Sequence, residues 1–391
     1  MQTRLFAHSC IKNFNPYSRA VFSQLARCHT AALGAHRLKC DQQACGHQQW
    51  QYHSCGNRHC PNCGGWKREE WVEAKQSELL PTAYYHVVFT LPRELHSLVM
   101  GNRKELFKLL FDSSAHALLT LGKEAKYLGA ETGFLSVLHT WGQQLSFHPH
   151  VHCIVSGGGV KEGQWIGQKR KNNKFLFPLP LLQKEFKAHF LSQLAKRHQQ
   201  GKLQVSGQPV APLIDLLSGK KWVVYAKAPF KEAAGVVEYL GRYTHKIAIT
   251  HHRILEVSPA HTTFRYRDYR DGNKEKQLQL PHQEFLRRFE QHILPRGFVK
   301  IRSYGYLSNR GKQARLEHLR QQLGLPAAPP RVKIPVRQRL LERYGTDISR
   351  CPACEQGQLV VVGSYYPVYS PLIRTTAIRQ QQLFHQQPES G

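Results

Sequence analysis

His148-Pro149-His150-Val151-His152-Cys153-Ile154-Val155-Ser156-Gly157 is the stretch from which the rest of the chain is read. Val, Ile and Cys around the histidines, closed by glycine, predict a short β-strand. Successive side chains of a strand point to opposite faces, so His148, His150 and His152 share one face. Neutral imidazoles spaced this way can hold one divalent cation from a rigid element. His150 and His152 are the expected ligands. A third would come from His148 or Gln144, and the sequence leaves that choice open. A lone His-x-His on a strand is more often unligated than not, so the site needs support from elsewhere in the chain.

That support lies about ninety residues on, in Glu238-Tyr239-Leu240-Gly241-Arg242-Tyr243-Thr244-His245-Lys246. Positions i and i+4 share a helix face, and a helix over 231–243 would present Tyr239 and Tyr243 together. Phenols there could be core aromatics of an amphipathic helix. They could also be nucleophiles beside the cation, with a nearby metal or base offsetting a pKa near 10. Arg242, His245 and Lys246 cluster beside them as phosphate binders would.

The composition agrees with a polyanionic partner. Fifty-five Lys and Arg against 26 Asp and Glu leave a formal charge of +29 over 391 residues. Self-repulsion of that size is costly unless a phosphate backbone is the working partner. No stretch approaches the roughly 18 apolar residues of a membrane span, and the N-terminus has no apolar signal core. The expected compartment is the cytoplasm, with no membrane partner.

Seven of the ten cysteines lie between Cys10 and Cys63. Close pairs mixed with histidines suit zinc better than a disulfide framework. Cys40 and Cys45 form one pair, Cys60-Pro-Asn-Cys63 another, and 14 residues separate them. One tetrahedral zinc on Cys40, Cys45, Cys60 and Cys63 is the expectation, with Cys28, Cys55 and His59 as further candidates for that site or a second one. Cys351-Pro-Ala-Cys354 supplies only two of four ligands. It could join an N-terminal cysteine, form half of an intermolecular site, or be the remnant of a lost one.

Strands are predicted over 84–90, 134–140, 150–155, 221–227, 247–250 and 264–269, and helices over 66–80, 94–121, 180–199 and 283–293. A basic loop is expected at 169–174, a Pro-rich linker at 325–330, and disorder after about 380. The spacing is too uneven for a doubly wound parallel sheet. An α+β fold with helices packed on an antiparallel sheet is expected.

Several blocks together resemble one family. They are 30–36, 54–63, 88–92, Phe147-His-Pro-His-Val-His-Cys-Ile-Val155, 222–227, Tyr239-Leu-Gly-Arg-Tyr-Thr-His245 and 298–305. They look like the IS91 type of insertion-sequence transposase, whose two-tyrosine HUH enzymes carry an N-terminal zinc domain. The resemblance runs from about Cys28 to Cys354. It implies a central antiparallel sheet with the histidines on a middle strand, His150 and His152 as metal ligands, and Tyr239 and Tyr243 as nucleophiles. It further implies N-terminal cysteines that bind zinc and help hold DNA, and a rolling-circle-like reaction on single-stranded DNA through a 5′-phosphotyrosine. Magnesium or manganese would serve the histidine site. Lys227 and Arg302, inside two of the blocks, join Arg242, His245 and Lys246 as candidate DNA contacts. The wide Cys40–Cys45 spacing departs from the family's usual CxxC.

The expected organisation is a zinc-binding domain over 1–82, the HUH catalytic domain over 83–280, a basic helical DNA-binding region over 281–325, and a linker, knuckle and tail over 326–391. Two rivals stand beside this reading. A plasmid or phage replication initiator would share the cleavage chemistry, although no Gly-rich phosphate loop is present. A non-enzymatic zinc protein could coat single strands through Tyr84, Tyr85, Trp222, Tyr225, Tyr266 and Tyr269. Oligomeric state is not legible.

Overall fold

Twelve strands form three sheets in the computed structural model, which describes residues 2–63, 65–168, 175–205, 209–230, 235, 241, 248–329 and 334–367. β1 (Ala35–Cys40) and β2 (Gln48–Tyr52) lie in the Cys-rich N-terminal part. The long alternating runs give β3 (Tyr84–Thr90), β4 (Glu131–Trp141) and β5 (Phe147–Lys161), followed by β6 (Gln164–Ile166) and β7 (Val224–Ala226). β8 (Ile254–Val257), β9 (His261–Asp268) and β10 (Lys274–Pro281) make an antiparallel meander. β11 (Ile301–Tyr304) and β12 (Leu359–Tyr365) come last.

The central sheet runs β11-β4-β5-β3-β7, with β6 paired to β5. Every ladder is antiparallel, so the expected α+β class is borne out. Register decides what each face carries. Phe89, Val151, Cys153, Val155 and Phe134 turn to one side, where helices Arg103–Lys123 and Leu179–Gln199 cover them with Phe107, Phe111, Phe186 and Phe190. Each fully buried ring or branched chain contributes roughly 1.5–3 kcal/mol, and a one-residue slip would expose the whole set. The opposite face is divided. Tyr84, Leu135, Val137 and Ile154 make an apolar cluster with Trp71 and Phe230 at one end, and the histidines occupy the other.

Boundaries differ from expectation where tertiary partners intervene. The helix expected over 94–121 is broken at Asn102, whose side-chain amide bonds Leu98 O and Gln204 O instead of continuing the turn. The strand expected over 221–227 keeps only Val224–Ala226, because Trp222 leaves the ladder to bury its ring and donate to Leu217 O. Of 247–250, the described residues 248–250 are not strand. The C-terminal strand β12 was not foreseen; it pairs with β1, giving the order β12-β1-β2. The predicted loop at 169–174, most of the predicted helix at 231–243 and the tail after 380 lie outside the described residues. No helix among the described residues is long and apolar enough to cross a membrane.

Candidate active site

Pro149 has no N–H to give a ladder and is normally excluded from central strands. A bulge in β5 accommodates it: His139 pairs with His150 and Trp141 with Phe147, so one residue of β4 spans two of β5. Pro149 still accepts, from Leu91 N at 3.1 Å. The ladder is regular from Phe134–Val155 to His139–His150, which sets His139 directly opposite His150, with His152 one pleat further along the same face. One ring nitrogen each from His139, His150 and His152 lies within 4.8 Å of the other two.

Each strand histidine has one nitrogen already committed. His150 Nδ1–H donates to its neighbour's carbonyl, His148 O, at 2.6 Å. His152 Nδ1 meets His86 Nε2 at 2.8 Å, the two rings stacked with a 2° interplanar angle. Both strand histidines are thereby oriented with Nε2 toward the shared space, the arrangement in which second-shell partners select a ligand's tautomer. His139 stacks on Trp141, with centroids 4.6 Å apart. Burial holds the rings neutral: it pushes His150 down to about 3 and His86 to about 4, and lowers His152 well below the ordinary range. Neutral, buried and pre-oriented nitrogens without carboxylates are a donor set that fits a divalent transition-type cation.

The cluster opens into a cleft of about 670 Å³ lined by His139, Trp141, Gln143, His148, Tyr266 and Tyr269. A second hollow of about 930 Å³ shares His152, Trp141 and Gln143 with it and adds Tyr225, Lys227 and Arg253. Strand β9 and the turn after it form the far wall, tied down by Gln143 Nε2 donating to Tyr269 Oη at 2.9 Å. Arg265, Arg267 and Arg270 bring positive charge to that wall. Guanidinium groups beside exposed phenol rings suit a sugar-phosphate strand with unstacked bases.

Of the expected metal ligands, His150 and His152 converge, whereas His148 and Gln144 do not join them. Both stand exposed at the cleft rim. The third nitrogen comes from His139, which sequence reasoning passed over because the register between β4 and β5 is not written in either strand alone. Lys227 reaches the cleft. Arg302 does not. Strand alternation turns it to the helix-covered face, where its guanidinium lies 4.3 Å from the Phe111 ring and 5.5 Å from that of Phe298. Tyr239, Tyr243, Arg242, His245 and Lys246 lie outside the described residues. Within their segment, Gly235 and Gly241 are described, and both are helical. A Cβ on Gly241 would come 2.3 Å from Val72 Cγ2, so Gly241 itself lies directly against helix Gly65–Gln76. Among the aromatics proposed for stacking, Tyr84, Tyr85 and Trp222 are buried, while Tyr225, Tyr266 and Tyr269 line the clefts.

The cysteines do not form the single set expected. Cys60 and Cys63 converge with Cys28 and Cys55, while Cys40 and Cys45 meet Cys351 and Cys354. In the first set the Sγ atoms of Cys28 and Cys63 are 3.5 Å apart, those of Cys28 and Cys60 3.6 Å, and those of Cys55 and Cys63 3.7 Å. Four sulfurs about 2.3 Å from a tetrahedral zinc are roughly 3.8 Å from one another. The reason for the partition is that β1 and β2 are a hairpin carrying Cys40 and Cys45 away from the knuckle at Cys60. His59 is not a ligand candidate in this arrangement: Nδ1 faces Asn57 Oδ1 at 3.0 Å and Nε2 accepts from Leu294 N at 3.0 Å.

Residues 2–91 match the family model described as a transposase zinc-binding domain, of the IS91 type, and residues 133–315 match one described as a putative transposase. The chain is 40% identical over 366 residues to the putative transposase y4qJ of Sinorhizobium fredii, covering 90% of this chain and 91% of that protein. It is 28% identical over 341 residues to the transposase for insertion sequence element IS801 of Pseudomonas savastanoi pv. phaseolicola, covering 85% and 80%. No solved structure matches the chain.

Proposed function

The chain belongs to the IS91-type transposases, and from that premise we propose that it cleaves and rejoins single-stranded DNA at element ends through a 5′-phosphotyrosine on Tyr239 or Tyr243. The observation that carries the reading is the convergence of His139, His150 and His152 at the floor of a basic, tyrosine-lined cleft.

In this reading His139, His150 and His152 hold one divalent cation. Manganese or magnesium bound there would stabilise charge on the non-bridging oxygens of the scissile phosphate. An all-nitrogen donor set is softer than the oxygen shell magnesium prefers, which ranks manganese first. His86 keeps His152 turned toward the phosphate, and Lys227, Arg265 and Arg267 hold the flanking backbone. The tyrosine Oη forms a bond to phosphorus as the P–O3′ bond breaks, and the phenol proton ends on the released 3′-oxygen. The phosphodiester energy is retained in the tyrosyl ester, so a later 3′-hydroxyl can reverse the step without ATP. Two tyrosines permit two such esters in alternation, which suits rolling-circle-like transfer.

The test is cleavage of single-stranded oligonucleotides spanning the element's ends, with manganese or magnesium, resolved on a denaturing gel beside Tyr239→Phe/Tyr243→Phe and His150→Ala. A metal-dependent protein–DNA adduct should appear and vanish in both variants. Binding that persists with no adduct in any sample would overturn the proposal in favour of a non-enzymatic single-strand binder.

A further inference from the structure

We propose that Cys40, Cys45, Cys351 and Cys354 form a second tetrathiolate zinc site, one that staples the C-terminal segment of the chain onto the N-terminal domain. The matched zinc-binding region ends at residue 91, so half of this site lies far outside it.

The four sulfurs lie within 4.8 Å of one another. Cys40 Sγ is 3.7 Å from Cys354 Sγ, and Cys45 Sγ is 3.7 Å from Cys351 Sγ, across 314 and 306 residues of chain. Those separations fit the roughly 3.8 Å edge of a zinc–thiolate tetrahedron and not the ~2.05 Å of a disulfide. Both halves have the turn of a metal knuckle, with a backbone N–H aimed at the first or last sulfur. Gln42 N donates to Cys40 Sγ at 3.4 Å and Gly357 N to Cys354 Sγ at 3.3 Å. Such donors stabilise thiolate charge and fix the ligand's direction.

The halves are also built to each other. Asp41 N donates to Gln358 O at 2.9 Å, and Gln358 N donates to Asp41 Oδ1 at 2.8 Å. A Cβ at Gly357 would stand 2.4 Å from Cys40 Sγ and 2.6 Å from Gln42 Cγ, so the two loops approach too closely for any other residue. β12 continues the junction by pairing with β1 from Ala35–Tyr365 to Cys40–Leu359. Soft thiolates select zinc over the harder cations that a phosphate-handling site would use.

The staple has a mechanical consequence. Helix Val336–Tyr344 precedes the second knuckle, and its Arg339 Nη1 pairs with Glu73 Oε2 at 2.6 Å. Glu73 belongs to helix Gly65–Gln76, the same helix on which Gly241 sits. Zinc at the second site therefore holds the C-terminal helix against helix Gly65–Gln76.

The experiment reads metal, not cleavage, so it stands apart from the phosphotyrosine reading. Full-length protein purified without chelator should contain at least two zinc per chain by mass spectrometry, and Cys351→Ser/Cys354→Ser should contain one fewer than the parent. Cys354→His, which keeps a zinc-competent donor, should retain the parent's count. With a protease site inserted between Ala327 and Ala328, the cleaved C-terminal piece should co-elute with the body of the parent protein and separate from it in the double serine variant. One zinc in the parent, an unchanged zinc count in the double serine variant, disulfides in place of free thiols on denaturing alkylation, or separation of the cleaved parent would each overturn the proposal.

Discussion

His139→Phe separates the ligand that the tertiary structure supplies from those the sequence offered. His139 is 2% exposed, stacks on Trp141 with centroids 4.6 Å apart, and has its ring centroid 4.3 Å from that of His152. Phenylalanine preserves the stack, worth about 0.5–1.5 kcal/mol, while deleting the lone pair. Loss of a residue that merely orients a ligand costs a metal site about 10–100-fold. Loss of one of three ligands should cost at least the upper value, about 2.7 kcal/mol. Isothermal titration of manganese into the zinc-loaded protein should show at least that weakening, with the denaturation midpoint little changed. His148→Phe and Gln144→Ala should bind manganese within a few-fold of the parent, because both side chains stand at the rim. Parent-like affinity in His139→Phe, coupled with loss in His148→Phe, would refute the three-histidine geometry and restore the strand-only ligand set.

His86→Phe removes the hydrogen-bond partner of His152 Nδ1 and should weaken manganese about 10–100-fold, with adduct formation rescued by raising the metal concentration. Stability should fall with acid through His292, which is buried with Nδ1 3.1 Å from Thr140 Oγ1 and Nε2 3.1 Å from Leu145 O. Burial pushes this imidazole down to about 4 from 6.5. The unfolded chain therefore binds the extra proton between those values, and stability present above pH 6.5 is lost as pH falls toward 4, up to roughly 3 kcal/mol. Urea titrations across that range should show a shallower slope in His292→Gln. Arg302→Gln should destabilise by about 1–2 kcal/mol through lost ring contacts, yet leave the salt dependence of single-strand binding unchanged. A slope reduced by about one would return Arg302 to the DNA interface.

Local signals were legible wherever a residue's role depends on its own strand or helix. The alternation in Phe147–Val155 placed His150 and His152 on one face, and the apolar spacing of Leu179–Gln199 marked a helix whose bounds differ by one residue from those expected. The resemblance carried by the ordered blocks agrees with the family comparisons. Basic charge and paired cysteines pointed to DNA and zinc for reasons of composition alone, since phosphate neutralisation and thiolate softness need no particular fold.

What the chain could not announce is the register and partnership of its strands and loops. His139 becomes a ligand candidate because the register between β4 and β5 sets it against His150. Arg302 leaves the cleft because alternation along β11 is phased by its register with β4, which pairs it with Ser136. Cys40 and Cys45 have Cys60 nearer in sequence, yet a hairpin takes them to Cys351 and Cys354 on the far end of the chain. Ligand type is a property of side-chain chemistry and is written in the sequence. Ligand partnership is a property of register and chain return, which arise from the buried faces of whole sheets, and only the tertiary structure decides it.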